Sequence, residues 1–199
     1  MRASLDETCP ELPGGVAYVV AVTIVLADEA VADGALSHVL IEPGRKRPFH
    51  WHTEGPKAKE RLVACLVELG AVAHVVVHYP TGRRKTEAAR ASTLREVVVQ
   101  LVADGVDDLV IESRDRSGDR RDRGVILDVL RDLGTPGAIA YTWRPKKADR
   151  LLWLADGVCG AVRGFLLDDG DRWYYEQLQA ARVIGEPIYL SEHTAPLSA

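Results

Sequence analysis

Two adjacent acidic residues, Asp6 and Glu7, stand near the start of the chain in the strand-like segment "RASLDETC" (2–9). Transfer of a phosphoryl group with divalent metal ions requires several carboxylates that converge from different parts of a fold. Because side chains alternate along a strand, Asp6 and Glu7 are expected on opposite faces of a sheet, and only one of them would normally enter a given site. The alternative is that both acids are solvated at a frayed chain end.

Asp156 lies at the edge of an apolar helical stripe in "LLWLADGVCGAV" (151–162). A carboxylate in that position lowers the stability of the folded protein unless it is solvated, paired or bound to a metal ion. Gly157 and Gly160 weaken the helix, and we expect them to allow a close approach of this helix to a sheet. The competing interpretation of Asp156 is a salt bridge to Arg163.

Glu112 follows the apolar residues "LVI" (109–111) at the carboxyl end of a predicted parallel strand. Ligands of open α/β sheets bind at this edge, so Glu112 is a third candidate metal ligand and Asp115 is its alternative. Basic residues surround both acids, which makes a structural ion pair an equally good interpretation.

Two histidines, His50 and His52, alternate around Trp51 in "PFHWH" (48–52). This spacing could place two imidazoles on one strand face, where they would bind a metal. No third ligand is evident, so the alternative is that both histidines lie on the surface or pack against other residues. We expect His52 to be an accessory residue of the site.

The surrounding segments predict how these residues are positioned. Three strand-like segments come first (2–7, 16–28 and 36–43), and their turn residues predict an antiparallel meander. Helical and strand-like segments then alternate, which implies parallel strands beside the meander. The pattern indicates an α/β protein with a ribonuclease H-like mixed sheet flanked by helices. In that arrangement the first strand is central, between the second strand and the strand that follows the first helix.

The 199-residue chain is expected to form one domain over 1–199, with 168–199 as a C-terminal helical extension. No apolar run is long enough to cross a membrane and the N-terminus lacks the pattern of a secretory signal, so we expect a cytoplasmic protein. Three cysteines are too few and too far apart for a disulfide framework or a zinc site. Although the net charge is −4, the sequence contains four clusters of basic residues (44–48, 81–85, 113–123 and 143–150). These clusters are compatible with solvated turns or with a face that binds polyanions.

Several stretches, in order, resemble the domain-of-unknown-function 3800 family, whose fold is similar to that of ribonuclease H-like nucleases. "SLDETC" followed by "YVVAVTIV" resembles the family's opening strand, which ends in an Asp-Glu-Ser-like triplet, and the strand after it. "PFHWH" and "DDLVIESRD" resemble later family segments, and "KKADRLLWLADGVCGAVR" resembles its late helix. The resemblance covers nearly the whole chain and implies that Asp6, with Glu7, and Asp156 are the signature acids.

Three positions depart from the family pattern. Thr8 replaces the Ser after the acids, and Glu112 replaces a strand-end Asp with a longer carboxylate that can still bind a metal. Trp153 replaces the Gln before the late Asp and removes a polar group near the expected site, which bears on activity more than on fold.

The residues and the resemblance together predict a nuclease that hydrolyses phosphodiester bonds of DNA or RNA with Mg²⁺ or Mn²⁺. The expected catalytic residues are Asp6, Glu7, Glu112 and Asp156; the expected metal ligands are Asp6, Glu112 and Asp156, with Glu7 as the alternative to Glu112. Arg114, Lys146 and Lys147 are expected to contact the nucleic-acid backbone.

Two other functions stay open at this stage. One is a ribonuclease H-like binding or scaffold module whose carboxylate set is incomplete, and the other is a metal-dependent phosphohydrolase acting on a small nucleotide. The acidic net charge favours these two over a strong binder of duplex DNA. A homodimer or a protein partner is compatible with each of the three functions.

Overall fold

The computed structural model describes residues 1–13, 15–40, 47–81 and 86–191. Within these ranges the chain forms seven strands, six α-helices and a short 3₁₀ helix at Trp51–Thr53. The strands are β1 (Arg2–Thr8), β2 (Glu11–Leu12), β3 (Gly15–Val25), β4 (Val72–Thr81), β5 (Asp108–Glu112), β6 (Ala140–Arg144) and β7 (Ile188–Ser191). The α-helices are α1 (Glu29–Leu40), α2 (Pro56–Glu68), α3 (Thr86–Ala103), α4 (Arg116–Asp132), α5 (Leu151–Leu167) and α6 (Arg172–Ala180).

The strands form one mixed sheet in which β1 lies in the interior. The strand order is β6-β5-β1-β3-β4-β7, and β2 pairs with β3. Strand β1 runs parallel to β5 and antiparallel to β3, and β3 runs antiparallel to β4. The outer strands β6 and β7 run parallel to β5 and β4. The protein therefore has an α/β fold with a seven-stranded mixed sheet.

The strand predicted over 36–43 is wrong in its described part, because residues 36–40 belong to α1, and residues 41–43 lie outside the described ranges. Asp28 accepts a hydrogen bond from a backbone N–H in the first turn of α1 (2.8 Å), and Ala32 and Leu36 are buried on one face of the helix. The third antiparallel strand is instead β4, which pairs with β3. The sequence pattern predicts that this strand is parallel to the first strand and lies beside it. In the structure β5 takes that place.

Helices cover both faces of the sheet, and each face has its own apolar core. Helices α1, α2, α5 and α6 pack on one face, and α3 and α4 pack on the other. Strand β3 contributes to both cores, because Val19 and Ala21 point to the first face and Val20 and Val22 point to the second. Burial on both faces explains why the sequence of β3 is an almost continuous apolar run.

Polar contacts attach the first turn of α5 to β1. Ser4 Oγ donates a hydrogen bond to the carbonyl oxygen of Leu151 (2.8 Å), and Arg2 Nη2 donates one to Asp149 Oδ2 (2.8 Å). Asp149 Oδ1 also accepts a hydrogen bond from the backbone N–H of Leu151 (3.2 Å). These contacts hold α5 across β1, so that one face of the helix lies over the carboxyl end of the strand.

The C-terminal part of the described chain contains both a helix and a strand. Helix α6 packs against α5, and β7 pairs with β4 at the edge of the sheet. Sequence reasoning predicts the helix but not the strand. None of the helices in the described ranges is both long enough and apolar enough to cross a lipid bilayer.

Candidate active site

The carboxyl ends of β1 and β5 bring two acidic residues side by side. The parallel register pairs Leu5 with Ile111, so the next residue in each strand is an acid, Asp6 or Glu112. Leu5 and Ile111 belong to the core under α3 and α4, and alternation turns both acids to the opposite face, toward α5. The side chain of Asp6 is 3% exposed and that of Glu112 is 32% exposed.

Asp156 reaches the same place from α5. The thiol of Cys159 donates a hydrogen bond to the carbonyl oxygen of Asp6 (3.2 Å), so this face of the helix lies directly on β1. Asp156 Oδ2 accepts a hydrogen bond from the backbone N–H of Trp51 (2.8 Å). The Trp51 indole N–H in turn donates to Asp171 Oδ2 (2.8 Å), which ties the 3₁₀ helix to the start of α6.

The ammonium group of Lys146 lies among these three carboxylates. Its Nζ is 2.9 Å from Asp6 Oδ2, 3.1 Å from Glu112 Oε2 and 2.7 Å from Asp156 Oδ1. The Lys146 side chain is only 6% exposed, so it belongs to the interior of the cluster. One basic group therefore faces three acidic groups in a largely buried place.

A cleft of about 290 Å³ opens over this cluster. Besides the four charged residues it is lined by Glu7, Thr8, His50, Trp51, His52, Cys159 and Gly160. His50 Nδ1 lies 4.0 Å from Asp156 Oδ1. The volume is close to the lower end of the range for small-molecule sites, about 300 Å³.

Burial and neighbouring charges change the pKa values of the cluster. Burial raises the pKa of Asp6 to about 7, although the positive charge of Lys146 opposes this rise and Glu112 adds to it. The pKa of Asp156 is also raised, first by burial and then by the charge of Asp6. Burial lowers the pKa of Lys146, but the carboxylates of Asp6 and Asp156 outweigh this effect, and the net change is a rise. The lysine therefore stays charged, and the raised pKa values of Asp6 and Asp156 mean that these two carboxyl groups release their protons less readily than exposed ones do.

Gly157 and Gly160 of α5 make room for the 3₁₀ helix and α2. A β-carbon at Gly160 would lie 2.1 Å from Trp51 Cγ, and one at Gly157 would lie 2.2 Å from Leu62 Cδ2. The expectation that these glycines bring α5 close to the sheet is thus corrected. Their absent side chains let Trp51 pack on α5, where its backbone N–H reaches the carboxylate of Asp156.

Glu7 belongs to a second charge cluster, on the other face of the sheet. It pairs with Arg90 of α3 and accepts a hydrogen bond from the hydroxyl of Tyr18. Arg90 is 3% exposed and donates to both carboxylate oxygens of Asp122 on α4 (2.8 and 2.7 Å). Glu7 lines the cleft, but it is not one of the carboxylates that surround Lys146.

The residues expected to contact nucleic acid lie in three different places. Arg114 pairs with Glu87 (2.7 Å) and Asp122 (3.2 Å) in the second cluster. Lys147 lines a neighbouring cavity of about 300 Å³. Lys146, in contrast, is buried among the carboxylates instead of lying on an exposed face.

The remaining predicted site residues have identifiable roles. Asp115 caps α4 by accepting a hydrogen bond from the backbone N–H of Gly118 (2.6 Å), so it does not belong to the site. Arg163 pairs with Asp169 (3.5 Å) and does not form the salt bridge considered for Asp156. His52 lines the cleft, and its pKa is lowered by burial and by the charge of Arg163.

Sequence reasoning missed the position of Lys146 and the contact from Trp51. Lys146 and Lys147 are adjacent and chemically identical, and nothing in their spacing tells which one turns inward. In the structure the Trp153 indole N–H donates a hydrogen bond to the carbonyl oxygen of Lys146 (3.0 Å), a contact that the sequence does not reveal. Trp153 thus holds the loop that carries the buried lysine.

The three carboxylates supply the hard oxygen donors that Mg²⁺ and Mn²⁺ prefer. With the side chains in their present positions, no group of three or more His, Cys, Asp or Glu is arranged to hold a metal ion within the described residues (1–13, 15–40, 47–81 and 86–191). The ammonium group of Lys146 takes the position where the carboxylates converge. The donor set therefore fits a divalent cation in its chemistry, and binding at this point requires Lys146 to move.

Comparisons with models of protein families, with curated proteins and with solved structures found no significant match. The function of the protein must therefore be inferred from the chemistry of the site. The main features of the site are the three carboxylates, the Lys146 ammonium group and their position at the carboxyl ends of β1 and β5.

Proposed function

We propose that the protein is a divalent-metal-dependent nuclease with a ribonuclease H-like fold, which hydrolyses phosphodiester bonds of DNA or RNA. The observation that carries the proposal is the convergence of Asp6, Glu112 and Asp156 from three different elements. An oxygen of each lies 2.7–3.1 Å from one point, the nitrogen of Lys146. The sheet supports the fold assignment, because β1, β3 and β4 are successively antiparallel while β5 and β6 are parallel additions.

Asp6, Glu112 and Asp156 would hold Mg²⁺ or Mn²⁺. When bound, the metal supplies a positive charge that activates water and stabilises the leaving oxygen of the phosphodiester. The chain orients two of the ligands beforehand: Asp6 Oδ1 accepts a hydrogen bond from the backbone N–H of Glu7 (2.8 Å), and Asp156 is held by the N–H of Trp51. Carboxylates fixed in this way keep the reacting groups in a narrow range of geometries.

Basic groups beside the cleft support a polymeric anion as the substrate. Lys147 lines the neighbouring cavity together with Arg144 and Arg150, and the same loop carries Lys146 into the cleft. Cationic side chains bind the phosphates of nucleic acids without regard to sequence. A strand that crosses both cavities would present one phosphodiester to the carboxylates while Lys147 contacts another phosphate.

The position of Lys146 favours a second candidate function, a binding or scaffold module without hydrolytic activity. An ammonium group that neutralises the carboxylates permanently would leave no place for a divalent cation. The third function, hydrolysis of a small nucleotide, would use the cleft of about 290 Å³ without the neighbouring basic cavity.

A hydrolysis assay distinguishes the three functions. Purified protein is incubated with single-stranded DNA, duplex DNA, RNA, an RNA–DNA hybrid and a set of nucleoside phosphates, with Mn²⁺, with Mg²⁺ or with a chelator. We expect cleavage of at least one polymer with either metal and none with the chelator. Lys147→Ala should raise the KM for the polymer, because Lys147 contributes only to phosphate binding.

Two variants test whether the activity belongs to this site. Asp156→Asn should lower kcat/KM by at least about 100-fold, because it removes a metal ligand. Asp128→Asn, an exposed acid on α4, is the matched control and should leave kcat/KM unchanged. Cleavage that persists in the chelator or in Asp156→Asn would rule out the proposal, and cleavage of nucleoside phosphates alone would favour the small-nucleotide function.

A further inference from the structure

The Lys146 side chain is the internal counter-ion of the candidate metal site. A lysine ammonium group has three N–H donors, and the three nearest acidic groups are Asp6, Glu112 and Asp156. The side chain is 6% exposed, so water contributes little to balancing these charges. Without Lys146, three acidic groups would face one another in a buried place, which is unfavourable for folding.

The backbone around Lys146 is anchored, whereas its long side chain is not part of a rigid element. The Trp153 indole N–H donates a hydrogen bond to the carbonyl oxygen of Lys146 (3.0 Å), and the backbone N–H of Ala148 donates one to the carbonyl oxygen of Pro145 (2.8 Å). Four methylene groups separate the ammonium group from this fixed backbone, so the charge can move while the loop stays in place. The cleft provides the space into which it can move.

An ammonium group and a divalent cation cannot share one position, because they repel each other strongly at short distance. We propose that Lys146 competes with the divalent cation for Asp6, Glu112 and Asp156. In the metal-free protein the ammonium group occupies the place between the carboxylates and offsets part of their charge, and a cation binds only as the ammonium group leaves them. This inference rests on the proposed function, since it concerns the same carboxylates.

The competition gives the site two states with opposite consequences for an anionic substrate. When the ammonium group is on the carboxylates, the cleft has no free positive charge at its centre. When a cation binds, Lys146 turns into the cleft, where it can contact a phosphate oxygen next to the scissile bond. Lys146 thus couples cation binding to substrate binding.

Calorimetric titration with MnCl₂ alone tests the competition on the full chain. Lys146→Met removes the charge and keeps the length of the side chain, and we expect its Kd for Mn²⁺ to be at least about tenfold lower than that of the wild type. Lys147→Met is the matched control, because it changes the neighbouring lysine that faces the other cavity, and its Kd should equal that of the wild type. The metal-free Lys146→Met protein should also have a lower Tm, which Mn²⁺ restores.

Further variants keep the test decisive. Lys146→Gln retains hydrogen-bond donors without charge and should also bind Mn²⁺ more tightly if Lys146→Met does not fold. Lys146→Arg keeps the charge and should bind Mn²⁺ as weakly as the wild type. If Mn²⁺ affinity is unchanged, lower or undetectable in the neutral variants, the competition is overturned. If they bind Mn²⁺ more tightly and no form of the protein hydrolyses a phosphodiester, the competition stands and the nuclease proposal fails.

Discussion

Asp6 and Glu7 are adjacent in the chain, yet they belong to two charge clusters of opposite character. On the face covered by α5, Asp6 shares one lysine with two other acids, next to a cleft of about 290 Å³. On the face covered by α3 and α4, Glu7 pairs with Arg90, which also binds Asp122 through two hydrogen bonds. The first cluster has an excess of acid, whereas acids and bases are closely matched in the second.

This difference is the one that we expect between a structural network and the proposed metal site. In the second cluster, called the matched cluster below, nearly every charge has a partner of opposite sign. Its groups, which include Glu7, Arg90 and Asp122, connect β1, β3, α3 and α4. In the acidic cluster the pKa of Asp6 is raised because burial is not fully offset by the single lysine. A buried excess of one charge is a cost in stability that proteins retain where they bind ligands of opposite charge. Four predictions test this contrast.

The largest effect is expected from breaking the matched cluster. Arg90→Met should lower the free energy of unfolding by about 3–5 kcal/mol, because it leaves the buried carboxylate of Asp122 without its main partner. Urea denaturation measures the change. Arg95→Met, on the same helix but in an exposed pair with Asp132 (3.5 Å), is the control and should cost less than about 1 kcal/mol. Equal losses in the two variants would show that the matched cluster contributes no special stability.

Crowding α5 should disturb the acidic cluster through its support. Gly160→Ala should destabilise the protein by about 3 kcal/mol, because the new β-carbon would lie 2.1 Å from Trp51 Cγ. It should also lower hydrolysis, since Trp51 holds Asp156. Gly124→Ala in α4 meets no atom within 4 Å and should raise stability by about 0.5–1 kcal/mol. A tolerated Gly160→Ala would mean that Trp51 is not held against α5.

Neutralising Glu7 should mainly affect stability, whereas neutralising Asp6 should mainly affect metal binding and hydrolysis. Glu7→Gln should lower the free energy of unfolding by about 1–2 kcal/mol, because Arg90 loses an anionic partner. Asp6→Asn should change stability by less than about 1 kcal/mol, because Lys146 keeps two carboxylates, but it should abolish hydrolysis and the Mn²⁺-dependent rise in Tm. The contrast fails if Glu7→Gln loses the metal response and Asp6→Asn keeps it.

The fourth prediction is a pH dependence of stability. The pKa of Asp6 is raised from 3.8 to about 7 in the folded protein, so the folded state binds this proton more tightly than the unfolded state does. The resulting stabilisation is complete below about pH 3.8 and is lost as the pH rises to about 7, with a slope of at most about 1.4 kcal/mol per pH unit. Urea unfolding between pH 4 and pH 8 should show this fall in the wild type and in Glu7→Gln. Asp6→Asn should lack this component, and an identical slope in all three proteins would contradict it.

Local patterns predict most of the elements of this fold. The apolar run of β3 and the alternation in β1 appear in the structure as expected, because each depends on the burial of neighbouring residues. Helix α5 also forms, but every residue from Leu151 to Val162 is buried, so its burial is not limited to the predicted stripe. The apolar residues over 36–43 predict a strand because they are short-range evidence only, whereas residues 36–40 belong to a helix whose capping residue, Asp28, lies eight positions before Leu36. Strand β7 was missed because its four residues form a strand only by pairing with β4.

Three of the four predicted catalytic acids meet in space, and their meeting follows from general rules. Asp6 and Glu112 lie at the carboxyl ends of parallel neighbours, where their positions in the register coincide. Asp156 joins them because α5 packs on β1. Glu7 does not join them, since strand alternation turns its side chain to the other face.

Periodicity and burial act over a few residues, so local patterns are enough to predict which faces the acidic residues take on a strand or helix and which elements carry them. Tertiary packing is what brings Lys146, and not Lys147, into the carboxylate cluster and lets Trp51 donate a hydrogen bond to Asp156. These contacts join residues from separate elements. Their geometry depends on the packing of α5 against β1 and on the Trp153 contact that fixes the loop.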